Sequence, residues 1–163
     1  MWNQPLNHSE SLCVMCPNKV PHVNFLLAHP LAQLPSYESR GAAAADIRSV
    51  EGAIIYPGDT AIVGTGLKPE IPEGYVALIY SRSGHGFKND VRLANCVGVI
   101  DSDYRGEIKV KLTNDGSAVF HVEPLDRVAQ MMIVPAIQAT FEVQENLTST
   151  VRGEGGFGST GRA

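Results

Sequence analysis

Glu107-Ile108-Lys109-Val110-Lys111-Leu112-Thr113 alternates polar and apolar side chains without a break. Successive residues of a strand point to opposite faces. Ile108, Val110 and Leu112 therefore share one face and the charged residues the other, which predicts a half-buried strand. Working outward, the same signal recurs in short pieces. Ala53-Ile54-Ile55-Tyr56 ends at the turn Pro57-Gly58-Asp59, and Thr60 to Leu67 is predicted as the next strand. Tyr75 to Tyr80 follows Pro72-Glu73-Gly74, and Arg127 to Ile133 and Ala139 to Val143 complete the set. From Val23 onward turn signals return about every eight to twelve residues, the spacing of a sandwich or barrel. Only Ser83 to Asp90 has helical character, and Gly84 and Gly86 keep it short. The expected class is all-β.

The chain of 163 residues has the length of one domain. Its 44% apolar and 18% charged residues are an ordinary globular composition. Sixteen Gly and ten Pro suit many strands joined by tight turns. The net charge is -4 and no block of basic residues exists, so no nucleic-acid partner is expected. An anionic ligand must meet a few placed Arg side chains, backbone N–H groups or a bound cation. No run of about 18 apolar residues predicts a membrane span. Met1-Trp2-Asn3-Gln4-Pro5 lacks the basic start and apolar middle of a signal peptide, so a cytoplasmic location is expected.

Residues 1–22 carry Pro5, Pro17 and Pro21, show no periodicity, and are expected to form a poorly structured extension. Cys13 and Cys16 within it have C-x-x-C spacing but no second Cys/His pair to complete a metal site, and are read as free thiols. Residues 23–143 are expected to form the β-domain and residues 144–163 a flexible tail. Half of the stretch from Arg152 to Gly161 is glycine. Composition favours a disordered appendage there; the functional alternative is a mobile lid whose backbone amides wrap an anion. Gly153 to Gly158 matches G-x-G-x-x-G, but that motif works between a strand and a helix with more sheet downstream, and five residues follow Gly158.

Three segments concentrate chemistry. Asn95 to Glu107 packs Asp101, Asp103, Tyr104 and Arg105 into a strand–turn–strand, where a polar hairpin tip is the ordinary reading. Asp101 directly follows the apolar Val99-Ile100, which puts a carboxylate at a strand end, a fit position for a general base. Ser81-Arg82-Ser83-Gly84 offers hydroxyls and a guanidinium for phosphate oxygens, though such a tetrapeptide is common. Asp126-Arg127-Val128-Ala129-Gln130 reads as a turn leading into a strand. The five His are scattered without metal-ligand spacing and are read as structural or solvated.

Taken in order, these segments resemble the five motifs of the trimeric dUTPases. Gly41-Ala42-Ala43-Ala44-Ala45-Asp46-Ile47 resembles the first and Arg82-Ser83-Gly84 the second. Asn95 to Glu107 is similar to the third, Asp126 to Gln130 to the fourth, and Arg152 to Gly161 to the glycine-rich fifth. The resemblance runs from about Val23 to the C-terminus. Two positions depart from it: Ala44 stands where the family usually has Gly, and His85 where an apolar residue usually follows the second motif.

The resemblance implies a jelly-roll-like β-barrel or sandwich that forms a homotrimer, each site drawing on three subunits. The implied activity is hydrolysis of dUTP to dUMP and diphosphate with Mg²⁺, which limits uracil in DNA and supplies dUMP for dTMP synthesis. Asp101 would be the general base for the attacking water, and Gln130 would help hold that water or the phosphates. Arg82, Ser83 and Gly84 would bind the phosphate chain. Asn95 and the hairpin backbone at Gly98, Val99 and Ile100 would read uracil, and Tyr104 would lie against the deoxyribose. Arg152, Gly158 and Ser159 would close on the phosphates while Phe157 stacks on the base. Asp46 would act on Mg²⁺ only through water. Cys96, inside the third motif, is expected to be a small buried residue without a chemical role. Two other readings stay open at this point: a dCTP deaminase-like enzyme of the same fold, and a trimer of this fold with an added regulatory binding role.

Overall fold

A computed structural model describes residues 20–156. The chain runs through β1 (Asn24–Leu27), β2 (Ala45–Arg48), β3 (Ala53–Ile55), β4 (Thr60–Gly64), β5 (Leu67–Glu70) and β6 (Tyr75–Tyr80). One short helix among the described residues, α1 (Ser83–Asn89), follows. Then come β7 (Val91–Leu93), β8 (Val97–Ile100), β9 (Lys109–Asn114), β10 (Phe120–Val122) and β11 (Arg127–Pro135). Every strand pair is antiparallel. The all-β expectation holds.

Alternation in β9 becomes burial as predicted: Val110 and Leu112 are buried, while Lys109 and Lys111 face solvent. This strand is the centre of a three-stranded sheet in the order β4-β9-β7. A four-stranded sheet has the order β2-β11-β6-β8, and two ribbons pair β1 with β5 and β3 with β10. Inward residues from these sheets, among them Ile47, Ile55, Val63, Leu67, Ile79, Leu112 and Met131, form one apolar cluster. Thr113, also buried, breaks the alternation, and Asn114 at the end of β9 is wholly buried. Its amide donates to the Ile55 and Ala118 carbonyls at 2.9 and 2.8 Å, and its oxygen accepts from the Gly116 N–H at 3.0 Å. A buried amide so satisfied costs little and pins three chain segments together.

Two strand expectations need correction. Thr60 to Leu67 is not one strand but β4 and β5, broken at Thr65-Gly66. Gly66 has φ +65°, and a Cβ there would lie 2.7 Å from that of Ala32, so only glycine allows the chain to turn at this spot. Thr65 secures the break by donating its hydroxyl to the Ile108 carbonyl at 2.6 Å. Ala139 to Val143 forms no strand at all, and Phe141 and Val143 are fully or nearly fully exposed. Composition gives that segment strand propensity, but a strand exists only where a partner edge takes its N–H and C=O groups. No described strand pairs with it. The short helix falls where glycine content allowed one, ended by Asp90 in the left-handed conformation at φ 54°.

Candidate active site

Register aligns four residues across the outer face of the four-stranded sheet. Asp46 on β2 pairs with Gln130 on β11, Gln130 with Tyr80 on β6, and Tyr80 with Val97 on β8. Directly opposed residues share a face. Their sequence neighbours Ile47, Ala129, Met131 and Ile79 are buried in the core, so this row points away from it. Just beyond Tyr80 the chain leaves the sheet at Ser81 and enters α1, which brings Arg82 over the row.

The result is a charged cluster. Arg82 donates from Nε to Asp46 Oδ1 at 3.0 Å and from Nη1 to the Arg127 carbonyl at 3.3 Å. Arg127 donates from Nη1 to Asp46 Oδ2 at 3.1 Å, and the same nitrogen forms an ion pair with Glu38 Oε2 at 3.1 Å. Asp46 thus uses one oxygen for each guanidinium and is the most buried member, its side chain 12% exposed. A guanidinium carries five N–H donors and Arg82 uses two of them here, so three remain for an anion. Gln130 is held beside the cluster by donating its amide to the Ser81 carbonyl at 2.8 Å, and Ser81 Oγ accepts the Leu93 N–H at 2.9 Å. Ser83 and Gly84 lie exposed in the first turn of α1. Replacing Asp46 by Ala would leave two guanidiniums facing each other without their shared acceptor. Asp46→Ala is expected to lower stability by about 2 kcal/mol, since bonds to charged groups are worth about 1.5–3 kcal/mol. Urea unfolding at fixed protein concentration measures this.

The third chemistry-bearing segment sits elsewhere on the same sheet. Asn95 and Cys96 form the exposed turn from β7 to β8, and Gly98, Val99 and Ile100 lie in β8. Asp101 follows the last residue of that strand, exposed, on the rim of an open groove of about 920 Å³ that Tyr75, Val99, Arg105 and Gln138 also line. The loop after it is tied to itself. Tyr104 N–H donates to the Asp101 carbonyl at 3.2 Å, the Tyr104 hydroxyl to the Glu107 carbonyl at 2.9 Å, and Arg105 to the Ser102 carbonyl at 2.7 Å. The Tyr104 ring covers Gly106 so closely that any Cβ there would strike its hydroxyl.

Asp46, Arg82, Ser83, Gly84 and Gln130 are therefore brought together, and Asp101 is not among them. Gln130 is level with Val97, and Asp101 lies four residues further along β8 and two strands across. At about 3.3 Å per residue and 4.8 Å per strand, their backbones are about 16 Å apart. Arg152 is exposed and donates to the Gly155 carbonyl at 2.8 Å. Phe157, Gly158 and Ser159, like Cys13 and Cys16, lie outside the described residues. Among the described residues no three His, Cys, Asp or Glu side chains converge as a metal cage.

Cys96 corrects an expectation: it is exposed, with φ 61°, because the tight turn into β8 needs a left-handed residue where sequence composition predicted a buried one. Sequence reasoning also passed over Arg127 as a site member. Its signal was present, since it stands in the fourth motif segment with Gln130, but only the folded side chains show that it meets Asp46.

The family model described as dUTPase matches residues 31–161. A deoxyuridine 5'-triphosphate nucleotidohydrolase of Chlamydia pneumoniae is 49% identical over 132 residues, covering 79% of this chain and 91% of that protein. One from Thiobacillus denitrificans is 47% identical over 143 residues, covering 86% and 98%. Among solved structures, a Staphylococcus bacteriophage 80alpha dUTPase with dUPNHPP superposes with a TM-score of 0.80 at 28% identity, covering 86% of this chain and 99% of that one. The matched span contains the Asp46–Arg82–Arg127 cluster, the β8 hairpin and Gln130, and the chain belongs to the dUTPase family.

Proposed function

We propose that this protein hydrolyses dUTP to dUMP and diphosphate, with water attacking the α-phosphorus. The observation that carries the reading is Asp101, held at the end of β8 on the rim of the groove in a chain of this family. A carboxylate oxygen of Asp101 takes a proton from the attacking water. The new bond forms between that water oxygen and the α-phosphorus. The bond from the α-phosphorus to the bridging oxygen breaks, and diphosphate leaves with the electron pair. Arg82 and Ser83 hold the phosphate chain, with the unused Arg82 donors offsetting its charge. Asn95 and the backbone at Gly98, Val99 and Ile100 read the uracil edge, and Tyr104 packs on the deoxyribose. Residues 144–163 close over the site, with Arg152, Gly158 and Ser159 at the phosphates and Phe157 on the base.

A dUTPase structure from phage phi11 concerns the coordination of a structural Mg(II) ion. A magnesium ion held mainly by triphosphate oxygens and water needs only water-mediated contact from the protein. Both Asp46 oxygens are engaged by guanidiniums yet keep lone pairs for a metal-bound water. When bound, the ion neutralises phosphate charge.

A homotrimer completes the site. Asp101 and Gln130 cannot meet one water from about 16 Å apart in a single chain, so a site using both needs more than one copy. Exposed Ile137, Phe141, Val143 and Leu147 support association, since runs of uncovered apolar residues mark interaction surfaces. Diphosphate release from dUTP, dTTP, dCTP and UTP, each with Mg²⁺, tests the function. dUTP is expected to be strongly preferred, because polar groups that read uracil are left unpaired by cytosine. Ammonia release from dCTP would move the assignment to a deaminase.

A further inference from the structure

Helix α1 has little of its own to hold it over the sheet. It is seven residues long, buries no side chain, and has no side-chain cap at Arg82. Gly84 and Gly86 weaken it further. Among the described residues, one side chain within the helix reaches across to the β-structure, and that is His85. Its Nε2 lies 2.7 Å from the Arg127 carbonyl oxygen, and its ring meets Phe120 of β10 edge-on with centroids 5.1 Å apart.

The Arg127 carbonyl has a reason to be available. Pairing of β11 with β2 shifts register between Arg127 and Ala129, and at such an irregularity the ladder bonds are interrupted. The carbonyl then accepts side-chain donors, His85 Nε2 and Arg82 Nη1 together. A carbonyl only accepts, so Nε2 of His85 must carry a proton. One backbone oxygen therefore ties the helix to the residue that precedes it, and both to the strand whose Arg127 side chain grips Asp46.

We infer that His85 is a positioning residue: through the Arg127 carbonyl it holds Arg82-Ser83-Gly84 in the geometry that grips the phosphate chain. The inference rests on the dUTPase reading of that segment. Arg82 grips phosphate in the ground state and in the transition state alike. Loosening it weakens both equally, which raises KM and leaves kcat alone. Asp101 stands at the other end of the sheet in each copy and loses no contact of its own.

Two substitutions separate the hydrogen bond from the packing. His85→Phe keeps a ring against Phe120 and removes the donor. His85→Gln keeps an N–H donor at similar reach and removes the ring. The expected result for His85→Phe is a KM for dUTP raised about fivefold, the worth of one ordinary hydrogen bond, with kcat within twofold of native. His85→Gln should keep the native KM. Amide hydrogen exchange across Ser83–Asn89 in the ligand-free protein should be faster in His85→Phe and native in His85→Gln. Native KM and native exchange in His85→Phe would overturn the inference. So would equal defects in both variants, because a donor restored without the ring would then rescue nothing. If the unaltered protein failed to turn over dUTP, the functional reading would fall, while the exchange measurement would still decide whether His85 holds the helix.

Discussion

Asp101→Asn is expected to lower kcat by about 10²–10⁴-fold, the usual worth of a general base, while dUTP still binds. Asn keeps the size of the side chain and can still hydrogen-bond a water, but it cannot take the water's proton. Asp101 is exposed at the end of β8 and makes no side-chain hydrogen bond or ion pair among the described residues, so its replacement removes no structural tie. Stability should stay native, which separates this variant from Asp46→Ala. Steady-state diphosphate release gives kcat, and calorimetric titration with a non-hydrolysable dUTP analogue gives binding. Near-native kcat in Asp101→Asn would mean that another group is the base.

Deleting residues 152–163 should leave a folded protein that hydrolyses dUTP about 10²–10⁴-fold less efficiently. Two losses combine. In the proposed mechanism Arg152 would supply charge-assisted bonds to phosphate, worth about 1.5–3 kcal/mol. Phe157 would stack on the base, worth about 1–3 kcal/mol. A closed lid also sheds water from around the reacting phosphate. Half of residues 152–161 are glycine and Arg152 is exposed, so little core packing is at stake. Thermal unfolding without ligand should change little. Phe157→Ala should show a milder version of the same defect. If the truncated protein matched the full chain in kcat/KM, the segment would be the disordered appendage its composition describes.

How far the sequence could be read depends on the range over which each signal acts. The period-two pattern of residues 107–113 needs only neighbouring side chains, so β9 and the all-β class were legible from it. The helix at Ser83–Asn89, with its two glycines, was legible for the same local reason. Order of motifs along the chain likewise sufficed for the family, because it is itself a property of sequence. Local signals misled where conformation depends on a distant neighbour. Gly66 splits one expected strand because Ala32 and His29 stand beside it. Ala139 to Val143 has strand composition but pairs with no described strand. Cys96 is apolar enough for a core but occupies a turn that exposes it.

The sequence by itself determined the strand-rich class, the family, and the residue types available for phosphate, base and water. Tertiary structure alone decided how they are grouped. Asp46 meets Arg82 across 36 residues and Arg127 across 81, contacts that follow from strand order and register and from no local pattern. The same register holds Asp101 at the far end of the sheet from Gln130, residues that the family resemblance assigns to a site drawn from three subunits. Side-chain periodicity tells which face a residue takes. Which residues share that face is set by backbone hydrogen bonds between strands distant in the chain, and these form only when the whole sheet assembles.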